Sequence, residues 1–156
     1  MDVKLVNPFL EATVNVLKTM AFTEVTAGKP FLKDGKEAHG DITGIISFSG
    51  DATGSLSITF TEECIVKIVS SMFGEQVEGI NEEVRDAVGE LTNMISGDAR
   101  RKLQQHGYAI RAAIPSVVSG KNHVIKHIHQ GPCIALPFKT GGGDFTVEIN
   151  VKTDND

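Results

Sequence analysis

Glu90 and Asn93 stand three residues apart in the stretch "DAVGELTNMISGDARR", flanked by two glycines, Gly89 and Gly97. A carboxamide is a poor acid or base, but it accepts one hydrogen bond from water while donating another. It can therefore aim a water at an electrophile, as a glutamine does in GTP hydrolysis. Such positioning suffices only when the substrate supplies its own activation. A phosphoryl group on a carboxylate, with Mg²⁺ on the substrate's side, meets that demand. Glu90 would then hold the partner through an ion pair, for which a lysine is suited, instead of acting as a base.

The element that must position this pair is a helix. Advancing each residue by about 100° places Val84, Val88, Leu91, Ile95, Ala99 and Leu103 on one stripe, the expected buried face. Asp86, Glu90, Asn93 and Gly97 fall opposite, at spacings of four, three and four residues, so that neighbours touch along one polar ridge. Arg100 and Arg101 border it one turn later, and Met94 flanks it, where partner contact and ordinary packing are equally open. Any surface helix carries polar residues opposite its buried stripe, so the ridge alone decides nothing. The glycines shift the balance. Each costs about 1 kcal/mol relative to Ala inside a helix, and missing side chains leave room for another surface to approach. Asp86, Gly89, Met94, Gly97, Arg100 and Arg101 are accordingly the expected partner-binding residues around Glu90 and Asn93.

The remaining elements read as a frame for this helix. Asn7-Pro8 is the expected start of a first helix, carried to about Met20 by Phe9, Leu10, Val14, Val16 and Leu17. "TEVTAGKPFLK" is extended or loop. "GDITGIISFSGDATGSLSITF" is a hairpin about a Gly-Asp turn. Thr61 caps a short helix that stops at Gly74, and Asn81 caps the long one, which ends near His106-Gly107. "YAIRAAIPSVVSG", "NHVIKHIH", "CIALPF" and "FTVEINV" are strand-like, with turns at Gly120-Lys121-Asn122, Gln130-Gly131-Pro132 and Gly141-Gly142-Gly143. Three helices and about six strands, hairpins dominating, give an α+β fold with a largely antiparallel sheet.

At 156 residues the chain is long enough to bury one ordinary core without a metal or disulfide staple. Residues 1–152 are expected to form one domain and 153–156 a frayed tail. A net charge of −5 argues against a nucleic-acid partner, which needs a basic footprint. Cys64 and Cys133, far apart and without CxxC spacing, are expected as reduced core thiols of a cytoplasmic protein. Asp2, Lys4 and Glu11 interrupt the N-terminal apolar residues, so neither a signal peptide nor a membrane span is expected there.

Asp86, Glu90, Asn93 and Pro115 together resemble the motif of the CheX-type members of the CheC/CheX/FliY family of bacterial chemotaxis phosphatases. That motif has an Asp or Ser, three residues, Glu, two residues, Asn, and a Pro just over twenty residues on; the last interval is about one residue shorter here. "NPFLEATVNV", "GDITGIISFSGDATGSLSITF", "PSVVSGKNHVI" and "GGGDFTVEI" are also similar to that family, so the resemblance spans nearly the whole chain. It implies a CheC/CheX-like domain, long helices packed on the sheet, and hydrolysis of the aspartyl phosphate of a CheY-like receiver. Asn93 would orient the water and Glu90 would pair with the receiver's lysine. Mg²⁺ would come with the receiver, and the chain would need no cofactor or metal of its own. Asp86 would support the rim and Pro115 would shape a strand entry beside the helix. A homodimer joined through sheet edges is also implied. The competing expectation is a non-catalytic docking module for a receiver or a flagellar switch protein.

Family members with two sites prompt an internal comparison. Setting "NPFLEATVNV" beside "DAVGELTNMI" pairs Asn7 with Asp86 and Glu11 with Glu90, but Val14 with Asn93. Asn15 is one position late, about 100° away. One site per chain is therefore expected. Other motifs carry less. His123, His127 and His129 share parity on a strand, but no acidic or Cys ligand accompanies them, and an exposed or interface strand face is the simpler reading. "TGGGD" lacks a GKS/T ending and opens a strand, so it is a hairpin turn. Cys64 lies in an apolar helix without a nearby His and is expected to be inert.

Overall fold

The computed structural model describes residues 3–33, 39–124 and 132–153. Its elements are α1 (Val3–Ala21), β1 (Thr26–Ala27), β2 (Phe31–Lys33), β3 (His39–Gly50), β4 (Ala52–Phe60), α2 (Glu62–Phe73), α3 (Glu82–Gln105), β5 (Ile110–Ala112), β6 (Ser116–Val124), β7 (Cys133–Thr140) and β8 (Gly143–Thr153). All eight strands join one sheet, in the order β1-β7-β8-β4-β3-β5, with β2 also on β7 and β6 also on β3. Every pairing is antiparallel. The three helices lie on one face. Phe48 of β3 stacks with Phe9 of α1, the Gly44 backbone of β3 faces Thr92 of α3, and Gly143 of β8 faces Cys64 of α2.

Local sequence explains most boundaries. The Thr61 hydroxyl accepts from the Cys64 amide, and Gly74 closes α2 with φ +68°. Asn81 Oδ1 accepts from the Val84 amide at 2.9 Å to start α3, and Gly107 follows its end with φ +91°. Phe60, Phe145 and Phe138 lie side by side across β4, β8 and β7, with ring centroids 5.0 and 5.1 Å apart. The helix-facing side of this core buries Ile42, Ile46, Leu56, Ile58, Val147 and Ile149. Burial does not alternate along β4, however. The opposite face carries Thr43, Ser57, Thr59, Glu148 and Asn150, which are also buried.

Three expectations need correction, and a fourth, the extended or loop reading of "TEVTAGKPFLK", becomes specific. The first helix starts at Val3, so Pro8 lies in its second turn. Leu5 and Val6 are buried with Phe9, and this burial recruits the extra turn despite the amide that Pro8 lacks. "TEVTAGKPFLK" supplies two short strands on β7, at Lys139-Phe138 and Ala135-Cys133, with a gap opposite Pro137, which has no amide to donate. Gly120-Lys121-Asn122 is no hairpin turn. It is a bulge inside β6, where Ser119 pairs with Ile42 and His123 with Gly40. The end of the chain is ordered further than expected, since Thr153 pairs with Ala52 and is buried. His127, His129, the Gln130-Gly131 turn and residues 154–156 lie outside the described residues.

Candidate active site on helix α3

The expected buried stripe of α3 is buried: Val84, Val88, Leu91, Ile95, Ala99 and Leu103 are at most 1% exposed. What seats the helix is a close approach. A side chain at Gly44 would overlap the Thr92 hydroxyl and stand 3.2 Å from Val88 Cγ1, so only glycine lets α3 lie this near to β3. Thr92 turns its hydroxyl back to the Val88 carbonyl at 2.7 Å, which satisfies it in that dry contact. The α3 backbone is thereby fixed from below, and the residues on its outer side are carried on a rigid support.

On that outer side Asp86, Glu90, Asn93 and Arg100 are exposed, and Met94 and Gly97 are half-buried. Glu90 and Asn93 are adjacent by helical geometry, three residues apart. A cavity of about 320 Å³ at the start of α3 is lined by Asp41, Glu62, Ile80, Arg85, Ser119, Gly120 and Lys121, with neither Glu90 nor Asn93 among them.

The two glycines differ. Nothing lies within 4 Å of where a Cβ on Gly97 would stand, so the fold itself leaves that space open. A Cβ on Gly89 would instead meet Val117 Cγ2 of β6 at an ordinary 3.5 Å. Gly89 therefore faces the flanking strand more than the ridge. The two arginines also differ. Arg101 pairs with Asp98, which is 7% exposed and also lies 3.8 Å from Lys102 Nζ. Lys102 reaches Glu11 of α1 at 3.4 Å. Arg100 takes part in no ion pair among the described residues. Met94 packs partly against the core. On α1, Glu11 and Asn15 are exposed four residues apart, while Val14, the counterpart of Asn93, is half-buried against the core, so the three-residue spacing of Glu90 and Asn93 is not repeated there.

Behind the start of α3, a polar cluster fixes the bulge in β6. Asp41 accepts the Glu62 amide at 2.7 Å and the Asn122 amide at 3.0 Å, which ties the bulge to the N-terminus of α2. These backbone donors, Asn122 first and then Glu62, hold the Asp41 carboxyl below its usual range. His123 Nδ1 donates to the Gly120 carbonyl at 2.8 Å, and its Nε2 lies 2.7 Å from the Thr43 hydroxyl, itself 3.0 Å from Thr59. Both ring nitrogens of His123 are thus engaged within the fold. No group of three potential metal ligands occurs among the described residues. Cys64 and Cys133 are buried and in no disulfide among the described residues, and burial pushes the Cys64 thiol up to about 11. No described helix is long and apolar enough to cross a membrane.

Arg85 was not legible as a site residue. Its Nη1 lies 3.3 Å from the Ser119 hydroxyl, at the mouth of the cavity beside Asp86. Its position between ridge and stripe gave no signal, because the strand it reaches is distant in sequence.

A family profile described as chemotaxis phosphatase CheX matches residues 42–139. Over 155 residues, 98% of this chain and 99% of the relative, the sequence is 30% identical to the CheY-P phosphatase CheX of Thermotoga maritima. Among solved structures, a CheC-like superfamily protein from Shewanella sp. PV-4 superposes with a TM-score of 0.93 at 48% identity, over 97% of this chain and 99% of that one. A chain of the CheX–CheY–BeF3–Mg²⁺ complex of Borrelia burgdorferi superposes with a TM-score of 0.79 at 25% identity, over 94% of this chain and 97% of that one.

Proposed function

Because the chain belongs to the CheX family of chemotaxis phosphatases, we propose that it hydrolyses the aspartyl phosphate of a CheY-like response regulator at the outer ridge of α3. The observation that carries this reading is the exposure of Glu90 and Asn93, side by side on the outer face of α3. An exposed reactive pair suits a substrate that brings its own cleft, as a phosphorylated receiver does. The complex of the Borrelia CheX with CheY supports a receiver as the partner.

In this mechanism Asn93 enters the receiver's phosphorylation site. Its carbonyl accepts from a water while its amide donates to the phosphoryl oxygens or to the receiver backbone. The water oxygen bonds to phosphorus as the bond to the receiver's carboxylate breaks, releasing orthophosphate and free aspartate. Glu90 pairs with the receiver's lysine and fixes the approach. Mg²⁺ carried by the receiver neutralises charge on the phosphoryl group. Asp86, Met94 and Arg100 border the pair as partner contacts, and the open space at Gly97 admits the receiver's surface. The half-buried Val14 on α1 supports one site per chain. The same reading includes a cytoplasmic homodimer joined through sheet edges, which would cover an exposed strand edge.

A docking module without turnover is the competing reading, and the carboxamide at 93 speaks against it, since docking alone does not call for one there. The deciding experiment follows the lifetime of a receiver acyl phosphate with Mg²⁺ present. Wild type should shorten it. Asn93→Ala should remove the acceleration, by 10²-fold or more if water positioning is the main term (about 10²–10³ for one positioned group), while leaving receiver binding largely intact. Glu90→Ala should weaken both. No acceleration by wild type across a panel of receivers would leave the docking module as the better account.

A further inference from the structure

Ile114 and Phe22 are the most exposed of the large apolar residues described, at 88% and 78%. Ile114 stands on the sheet face turned away from α3, where one residue is extra between the pairing of Phe48 with Ala112 and that of Ile45 with Ser116. Phe22 lies on the helix side, and its placement is strained. It turns the chain out of α1 with φ +50°, a left-handed conformation just past a helix, where glycine is the usual residue. The turn is closed without the ring. The Thr23 amide donates to the Leu17 carbonyl at 3.0 Å, and the Thr23 hydroxyl donates to the Ala21 carbonyl at 2.8 Å. Backbone strain and an aromatic ring in water thus coincide at one residue, and the ring is not among those packed on the core.

The packing of α1 on α3 locates Phe22. Phe9 of α1 stacks on Phe48, near the end of β3. The chain then leads from α1 into β1, where Ala27 pairs with Phe138, in line with Phe145, Phe60 and Ile42 near the start of β3. α3 runs the other way, from Thr92 at Gly44 toward Ile110 at Gly50. The two helices are therefore antiparallel, and Lys102 Nζ at 3.4 Å from Glu11 fixes their register. Phe22 is eleven residues beyond Glu11, and Leu91 is eleven residues before Lys102, so equal rise brings Phe22 level with Leu91 and its neighbour Glu90. Eleven helical steps are three turns plus about 20°, which returns Phe22 to the side of α1 that carries Glu11. On α3, Gly89 marks the side toward β6 and Lys102 the side toward α1. Glu90 lies between them, on the outer side. An exposed ring thus borders the ridge from the α1 side, about one helix spacing (about 8–10 Å) across from Glu90.

We propose that Phe22, held out at the end of α1, is an apolar anchor for the phosphorylated receiver docked on Glu90 and Asn93. Continuity with the ridge names the occupant, because a receiver seated on that pair reaches across one helix spacing to the ring. The proposal rests on the phosphatase reading above for the identity of the partner. An anchor buried on docking contributes to affinity, while the chemical step stays with Asn93.

The test uses the full chain as wild type, Phe22→Gly and Phe22→Leu. Affinity is measured for a CheY-like receiver activated with beryllofluoride and Mg²⁺, and turnover with the phosphorylated receiver. Phe22→Gly should weaken binding and raise the half-saturating receiver concentration by about tenfold or more. Turnover at saturation should stay within about twofold. The melting temperature should hold or rise, because glycine takes a positive φ without strain. Phe22→Leu should keep most of the affinity. Unchanged affinity in Phe22→Gly overturns the anchor even if wild type is an active phosphatase. A loss of affinity accompanied by a fall in melting temperature also overturns it, because the ring would then serve the fold. Binding by wild type without turnover sinks the phosphatase reading alone, and the affinity ratio still decides the anchor. Neither binding nor turnover across a panel of receivers overturns both.

Discussion

Replacing Gly97 with Ala separates what the fold requires from what a partner requires. Inside a helix Gly is worse than Ala by about 1 kcal/mol, and no atom stands within 4 Å of the added methyl, so no clash offsets the gain. Gly97→Ala should therefore stabilise the protein by about 1 kcal/mol, a rise of about 2–4 °C in melting temperature for a chain of this size. If a receiver packs against this stretch of α3, the same methyl becomes an overpacked atom at the interface. Forced contacts of that kind cost about 1–3 kcal/mol, which is about 5- to 150-fold in the half-saturating receiver concentration. Gly89→Ala is the internal comparison, because its methyl would meet Val117 of the same chain at a normal 3.5 Å. It should gain similar stability with a much smaller loss of activity. Urea denaturation and acyl-phosphate lifetimes on both variants give the numbers. A Gly97→Ala protein that is more stable and fully active would refute the idea that this glycine clears space for a partner.

Two other substitutions probe the frame. Gly44→Ala drives a methyl into the Thr92 hydroxyl and against Val88, so urea denaturation should show a loss of about 2–3 kcal/mol. Thr92→Ala in the same chain should recover part of it, and full additivity of the two losses would show that the contact does not seat α3. Asp41→Asn should destabilise the native state near neutral pH, because Asp41 accepts two backbone amides as a carboxylate. Those amides, Asn122 first and then Glu62, hold its carboxyl below the ordinary aspartate value. The stability it contributes is therefore complete above that value and is lost as pH falls through the lower folded one. Wild type and Asp41→Asn should converge in stability as acid is added, and a gap that stays constant down to the acid transition would contradict this.

Most local devices were legible in the sequence. Thr61, Asn81, Gly74 and Gly107 set helix ends through bonds made within a few residues. The period of Val84, Val88, Leu91, Ile95, Ala99 and Leu103 fixed which face of α3 is buried, and hence that Asp86, Glu90 and Asn93 face outward together. The family motif needed only those residues in order. What failed to show was whatever depends on a partner far along the chain. Gly120-Lys121-Asn122 has the composition of a turn, but Asp41, 81 residues from Asn122, takes the Asn122 amide and keeps the segment in β6 as a bulge. Gly89 and Gly97 look alike in sequence, and only the seating of β6 against α3 gives one of them a neighbour. Pro8 reads as a helix start until the burial of Leu5 and Val6 extends α1 past it. The exposure of Ile114 follows from a mismatch of one residue between β3 and the β5–β6 strand. Periodicity and capping are local energies that a sequence states directly. Register, close approach and the direction of a side chain at a bulge arise from pairing across the sheet, so tertiary structure alone decides them.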